Sequence, residues 1–270
     1  MSSMVNNIIT FDIEDNFTRE ELADDKDWLK YEGQVRENTC RILDLLSRHR
    51  VKATFFLLGK VVDRRPEIVS KILLDGHEIA SHGYIHERVG VLGKAGFKED
   101  VRRSKETLEK MSGKPIKGFR AMAFSINTQT SWAIDYLQEQ GFLYDSSILS
   151  SSFKRQVEGL KSHFSDSFIE VSPSSMFISG RDLAFGGGIF FRIAPYSLIR
   201  SLIRQENNAG RPVVIYAHAW EFNKDQPKRK VSCLQSLAQS PMTFTTPTRI
   251  ERLLNDFSFT SIENALGSRP

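Results

Sequence analysis

The sequence predicts an α/β fold of βα units wound around a parallel sheet or barrel, and three observations carry that prediction. Short β-rich runs alternate with amphipathic stretches along most of the chain. Several of those runs are nearly continuously apolar, as strands covered on both faces must be. The 270 residues, 40% hydrophobic and 26% charged, suit one large domain with a real core and exclude disordered and fibrous classes.

Val5–Phe11 reads as the first strand. Val35, Thr39, Ile42, Leu45 and Leu46 then recur at helical spacing, and Ala53–Leu58 is a second strand. Val61–Leu74 reads as a helix, with Pro66 tolerated near its start and Gly76 as its stop, and His77–Ser81 is a third strand. Lys98–Met111 (helix), Gly118–Phe124 (strand), Ser131–Gln140 (helix) and Phe142–Tyr144 (short strand) continue the alternation. The stretch 150–188 is less regular, with strands expected at Phe168–Val171 and Leu183–Phe185. A helix over Tyr196–Asn207, a strand over Val213–Ala217 and a helix over Thr248–Phe257 complete the pattern. No linker, low-complexity tract or solenoid-length repeat interrupts it, so residues 1–270 read as a single domain.

The 37 basic and 33 acidic residues leave a net charge of +4 spread along the chain, and the compact cluster Lys228-Arg229-Lys230 reads as a solvated loop. Nucleic-acid binding is therefore not expected. The richest apolar stretch, Ala53–Val62, is cut by Lys60 and is far shorter than the roughly 18 residues of a membrane span. The opening residues Met1–Asn7 lack a basic and apolar export signal, which predicts cytoplasmic residence. Cys40 and Cys233 form no zinc or disulfide pattern and read as reduced thiols.

In parallel α/β folds, function collects at the carboxyl ends of the strands. The polar residues there are Asp12, Glu14 and Asp15 after the first strand, His82 and His86 after the third, Arg120 in the fourth, Asp145 after the fifth and His218 after the last apolar one. Three carboxylates within four residues repel one another unless a cation or a raised pKa relieves them. His82 and His86 have the spacing that sets two imidazoles on one side of a helical turn, facing one divalent ion. If the strand pleat continues to Glu14, Asp12 and Glu14 face the same way, one as metal ligand and the other as general base. Either Glu14 or Asp15 fits as the ligand, with Glu14 preferred. Arg120, in an apolar segment, needs a buried carboxylate partner, and Asp12 is the natural one. A metal-assisted hydrolysis needs a proton donor for its leaving group, and His218 at the end of an apolar strand reads as that donor. Gly186-Gly187-Gly188 lacks the strand and helix context of a dinucleotide loop and reads as a tight turn or a close approach of backbone to substrate.

Phe11-Asp-Ile-Glu-Asp15, Ala53-Thr-Phe-Phe-Leu-Leu-Gly59, the Gly76–His86 string, Gly118-Phe-Arg120, Tyr144-Asp-Ser-Ser147, Gly186–Arg192 and His218–Phe222 resemble, in order, the motifs of the polysaccharide deacetylases, the NodB-homology carbohydrate esterases. The resemblance runs from about Asn7 to about Ile262 and is nearest to the branch associated with exopolysaccharide and O-antigen clusters. It implies a distorted (β/α) barrel and a divalent metal, most simply Zn2+, with Co2+, Ni2+ or Mn2+ as alternatives. It further implies hydrolysis of an N-acetyl or O-acetyl group on a sugar or glycan. By position, Asp12 resembles the base, Glu14 or Asp15 with His82 and His86 the metal set, His218 the acid and Arg120 the residue that orients the base. Asp145, Gly187, Arg192 and Trp220 resemble substrate-groove residues. Ala121-Met122-Ala123 and Ala219 stand where the family usually carries proline, and Asp-Ile-Glu-Asp replaces paired aspartates. Two other readings of the same residues are a cyclic amide or imide hydrolase and a sugar-binding relative without turnover.

Overall fold

The computed structural model describes residues 5–14, 25–160, 163–165, 167–223 and 243–267, with backbone alone at 25–33, 155–159 and 243. Asp15, Cys233 and the 228–230 cluster lie outside the described residues. Among those described, eight strands form one parallel sheet curled into a distorted barrel. Strand β1 (Asn7–Ile13) lies between β2 (Thr54–Leu57) and β9 (Val214–His218), and also pairs at its start with β10 (Phe259–Thr260). From β2 the sheet runs through β3 (Glu78–Ser81), β4 (Gly118–Phe119), β5 (Tyr144–Asp145) and β6 (Ile169–Glu170). A hairpin of β7 (Ser175–Ile178) and β8 (Arg181–Ala184) stands apart. This is the expected α/β barrel.

Pleat parity builds the two sides of the sheet. Ile9, Phe11 and Ile13 face outward into the main core against the helices, whereas Ile8 joins Phe56, Ala80, Tyr144, Val171, Val214 and Ile262 in a separate core inside the barrel. The helices that cover the outside include α1 (Asp25–His49), α4 (Val89–Ser112), α5 (Trp132–Glu139), α8 (Tyr196–Asn208) and α9 (Thr246–Asp256). A short helix α10 (Ile262–Gly267) closes the amino end of the barrel: Ile262 N donates to Thr54 Oγ1 at 2.8 Å and Glu263 N to Glu78 Oε2 at 2.8 Å. Between β6 and β9 the seam is bridged by irregular backbone. Ser174 N donates to Val214 O, Gly186 N to Ser174 O, and Tyr216 N to Gly186 O. Gly186 is needed there because a Cβ would stand 2.4 Å from Val214 O.

Several boundaries differ from the sequence expectation for local reasons. The helix expected over Val61–Leu74 is two, α2 (Gly59–Arg64) and α3 (Glu67–Leu74), because Pro66 disfavours helical backbone at Arg65. Helix α4 starts nine residues before Lys98 and bends at Gly93, whose φ is 64°. The strand expected over Gly118–Phe124 stops at Phe119; Ala123 and Phe124 take φ of 52° and 51°, which no strand accommodates. Helix α6 (Ser150–Leu160) and the β7–β8 hairpin lie in the stretch that reads as irregular, and α7 (Gly188–Ile193) follows directly on the glycine run.

His77 gives the fold a pH dependence. Its ring is 6% exposed and packs on Phe55, and its Nδ1 accepts a hydrogen bond from Ala53 N at 3.2 Å. Burial and the nearby Lys52 push its pKa down to about 4. As pH falls below about 6.5 the unfolded chain binds a proton here that the folded chain refuses until about pH 4, so stability is lost. Urea denaturation should show a loss of about 1–2 kcal/mol at pH 5 relative to pH 7 from this group, after allowance for partial solvent screening. A His77→Gln variant should lose less over that interval, and an equal loss would count against this assignment.

Candidate active site

The inward face of β1 climbs from Ile8 through Thr10 to Asp12 at the carboxyl end, and Glu14 follows. Asp12 pairs in register with His218 across the parallel β1–β9 ladder, so backbone hydrogen bonds alone bring these two groups to one rim. Their nearest polar atoms, Asp12 Oδ2 and His218 Nε2, lie 3.9 Å apart.

Arg120 follows β4 directly and is fully buried. Its Nη1 donates to Asp12 Oδ1 at 2.7 Å and to Thr10 Oγ1 at 2.9 Å; its Nη2 reaches Ser146 Oγ at 2.8 Å and its Nε reaches Ser146 O at 3.2 Å. The guanidinium lies 4.0 Å over the Phe56 ring. Burying it is tolerable only because every edge is partnered, and the partner is the carboxylate to which the sequence points.

Glu14, His82 and His86 converge. One ligand atom from each lies within 4.8 Å of the others. Glu14 Oε2 stands 2.6 Å from His86 Nε2 and 3.4 Å from His82 Nε2. His82 Nδ1 is 2.7 Å from Arg120 O; a carbonyl can only accept, so Nδ1 carries the hydrogen. His82 Nε2 therefore faces a carboxylate oxygen, and that contact requires a cation between them, whether proton or metal. The electrostatics express the same demand. At Glu14 burial opposes ionisation, but His86 and His82 outweigh it and hold the carboxyl well below its usual range. At His82 burial opposes the charged ring, yet Asp12 and Glu14 raise its pKa. The two histidines sit in a loop, not on the helical turn that their spacing suggests: Gly83 between them has φ of 81°, outside any helix.

His218 ends β9, with its Nδ1 2.7 Å from Glu221 Oε1 and its ring stacked on Trp220 at 5.1 Å. The sequence reading does not single out Glu221, although its position three residues after a strand-end histidine is an available signal. It is 1% exposed, and its other oxygen accepts from Thr246 Oγ1 at 2.8 Å. Burial lowers the pKa of His218, but Glu221, Glu14 and Asp12 outweigh it and raise the value to about 9. Trp220 Nε1 donates to Glu14 Oε1 at 3.2 Å and so steadies the carboxylate that faces the histidines.

The residues expected to line a groove divide. Trp220 is partly exposed at the rim. Asp145 is fully buried, held by Ser147 Oγ at 2.5 Å, with burial pushing its carboxyl up to about 6. Arg192 is 2% exposed and stands behind the site, its Nε 3.9 Å from Glu221 Oε2 and its guanidinium 5.4 Å over Trp220. Gly187 packs on β9, where a Cβ would meet Tyr216 O at 2.5 Å. Asp145, Arg192 and Gly187 are therefore all buried, and none presents an exposed group beside Asp12 and His218.

Residues 9–142 match a family profile described as polysaccharide deacetylase, and residues 150–267 match a profile described as a domain of unknown function. A Bacillus cereus peptidoglycan-N-acetylglucosamine deacetylase is 34% identical over 113 residues, which are 42% of this chain and 40% of that protein. The chain thus matches well under half the length of that relative. Among solved structures, a Mycobacterium smegmatis protein described as a polysaccharide deacetylase aligns with TM-score 0.62 and 21% identity over 96% of this chain and 88% of its own. A Bacillus anthracis pseudoenzyme of the CE4 family aligns with TM-score 0.56 and 14% identity over 98% of this chain and 66% of its own. At such identities the structural matches establish the fold, which active and inactive proteins share.

Proposed function

The chain belongs to the polysaccharide deacetylase family, and from that premise we propose that it is a metal-dependent hydrolase that removes an acetyl group, most simply an N-acetyl group, from a sugar of a glycan or glycan precursor. The observation that carries the metal part is the convergence of His82 Nε2 and His86 Nε2 on one buried oxygen, Glu14 Oε2. Imidazole and carboxylate ligands suit Zn2+ best, and Glu14, His82 and His86 would hold it. When bound, the ion supplies Lewis-acid polarisation and a lowered pKa for water.

The remaining chemistry belongs to the side chains. Arg120 holds Asp12 Oδ1, which leaves Oδ2 turned toward His218 and the cleft. Asp12 takes a proton from the water whose oxygen bonds to the acetyl carbon. His218, carrying its own proton, gives it to the nitrogen as the C–N bond breaks, releasing acetate and the amine. Glu221 fixes the ring of His218 and keeps it charged. Trp220 is partly exposed at the rim, where a sugar can pack against it.

Purified protein should release acetate from N-acetylated oligosaccharides in a reaction stopped by chelator and restored by Zn2+. No chelator-sensitive release across such a panel would end this reading. The pH profile tests His218 separately. Because the acid works protonated, activity should fall as pH rises through its pKa. A Glu221→Gln variant, lacking the charge that supports the imidazolium, should move that alkaline limb to lower pH by about one unit or more. An unmoved limb would assign the proton donor elsewhere.

A further inference from the structure

The loop that carries His82 and His86 has neither helical nor strand hydrogen bonding between residues 82 and 86. Its backbone polar groups are instead met by side chains of α4. Asp100 Oδ2 accepts from Tyr84 N at 2.9 Å, and Asp100 Oδ1 from Ile85 N at 2.8 Å. Ser104, one turn further along α4, donates to Gly83 O at 2.9 Å and meets Ser81 Oγ at 2.8 Å. Ser81 Oγ in turn accepts from Gly83 N at 3.2 Å. Backbone of α2 completes the cage, with Gly59 N on Gly83 O and Lys60 N on Tyr84 O. Gly83 fits because a Cβ would lie 2.6 Å from Asp100 Oδ2, and because its φ is 81°. Asp100 is 8% exposed and Ser104 fully buried, so both are polar groups whose burial needs a reason.

We propose that Asp100 and Ser104 are positioning residues that set metal affinity by holding the 82–86 loop in the shape that aims both imidazoles at Glu14. The inference rests on the metal-site reading above. Neither side chain touches a ligand ring in the described contacts; they act through the loop backbone. Without the Asp100 carboxylate, two adjacent backbone N–H groups lose their acceptors and the loop gains freedom between its two ligands.

The test is Zn2+ affinity of the purified protein, measured by competition with a chromophoric chelator, so it does not depend on turnover. Asp100→Asn keeps the size but offers one good acceptor for two donors, and it should weaken Zn2+ about 10- to 100-fold. Ser104→Ala, which leaves Gly59 N on Gly83 O, should weaken it several-fold. Val69→Ala, a core truncation in α3 at a residue with no side-chain hydrogen bond to the loop, should lower the melting temperature while leaving Zn2+ affinity unchanged. Wild-type affinity in both Asp100→Asn and Ser104→Ala would overturn the proposal, as would equal weakening in Val69→Ala. If Asp100→Asn does not fold, Ser104→Ala decides alone. In the same titration, binding by wild type that His82→Ala abolishes establishes the metal site independently of the proposal; a wild-type protein that binds no Zn2+ ends both.

Discussion

Replacing His82 by Ala should lower acetate release about a thousandfold or more, on the order of 4 kcal/mol of transition-state stabilisation, and should remove the bound metal. His82 is 4% exposed and fixed from behind by the Arg120 carbonyl, so its ring has one direction left to face. The truncation takes away one of the three atoms proposed to hold the ion, and the remaining two, on Glu14 and His86, would hold it with far less selectivity and force. Metal content by elemental analysis and activity with and without added Zn2+ check both halves. Full activity in His82→Ala that still responds to chelator would place the metal elsewhere.

Arg120→Leu should be the most destabilising single substitution in the site. The Arg120–Asp12 pair is buried on both sides, with side chains 0% and 3% exposed. Removing the cation takes the paired charge from Asp12 Oδ1 and a donor from each of Thr10 Oγ1 and Ser146, which keep only their own bonds to Ile215 O and Val171 O, a loss of about 3–5 kcal/mol by urea denaturation. Asp12→Asn should behave differently: it keeps shape and one acceptor for Arg120, costs less stability, and lowers kcat by about 10^2 to 10^4 through loss of the base. Arg120→Lys separates geometry from charge, since a single ammonium cannot reach Asp12, Thr10 and Ser146 together. Wild-type stability in Arg120→Leu would mean that Asp12 is held by something else.

Much of the site is legible in particular residues. Phe11, Asp12, Ile13 and Glu14 alternate in a strand pattern, the two apolar residues pointing out and the two acids in, because pleat parity is a local property. The Arg120–Asp12 pairing follows from the cost of an isolated buried guanidinium. Glu221 escapes a sequence reading because a carboxylate beyond a strand end usually faces solvent; here the turn at Ala219–Phe222 folds it back under His218. Asp145 and Arg192, which the resemblance assigns to a groove, are both buried, because a motif position fixes the residue type but not its exposure. The loop geometry at Gly83 is likewise hidden, since a four-residue histidine spacing serves a turn of helix and a caged loop equally well.

The sequence by itself determined the βα alternation, the inward parity of Asp12 and Glu14, and a ligand chemistry limited to carboxylate and imidazole. Those properties depend on residue type and on periods of two or 3.6 residues, which local backbone geometry imposes. Tertiary structure decided that Glu14 closes with His82 and His86 at these distances and that Glu221 stands behind His218. These distances follow from strand register and the curl of the sheet, a collective packing outcome that no local period records.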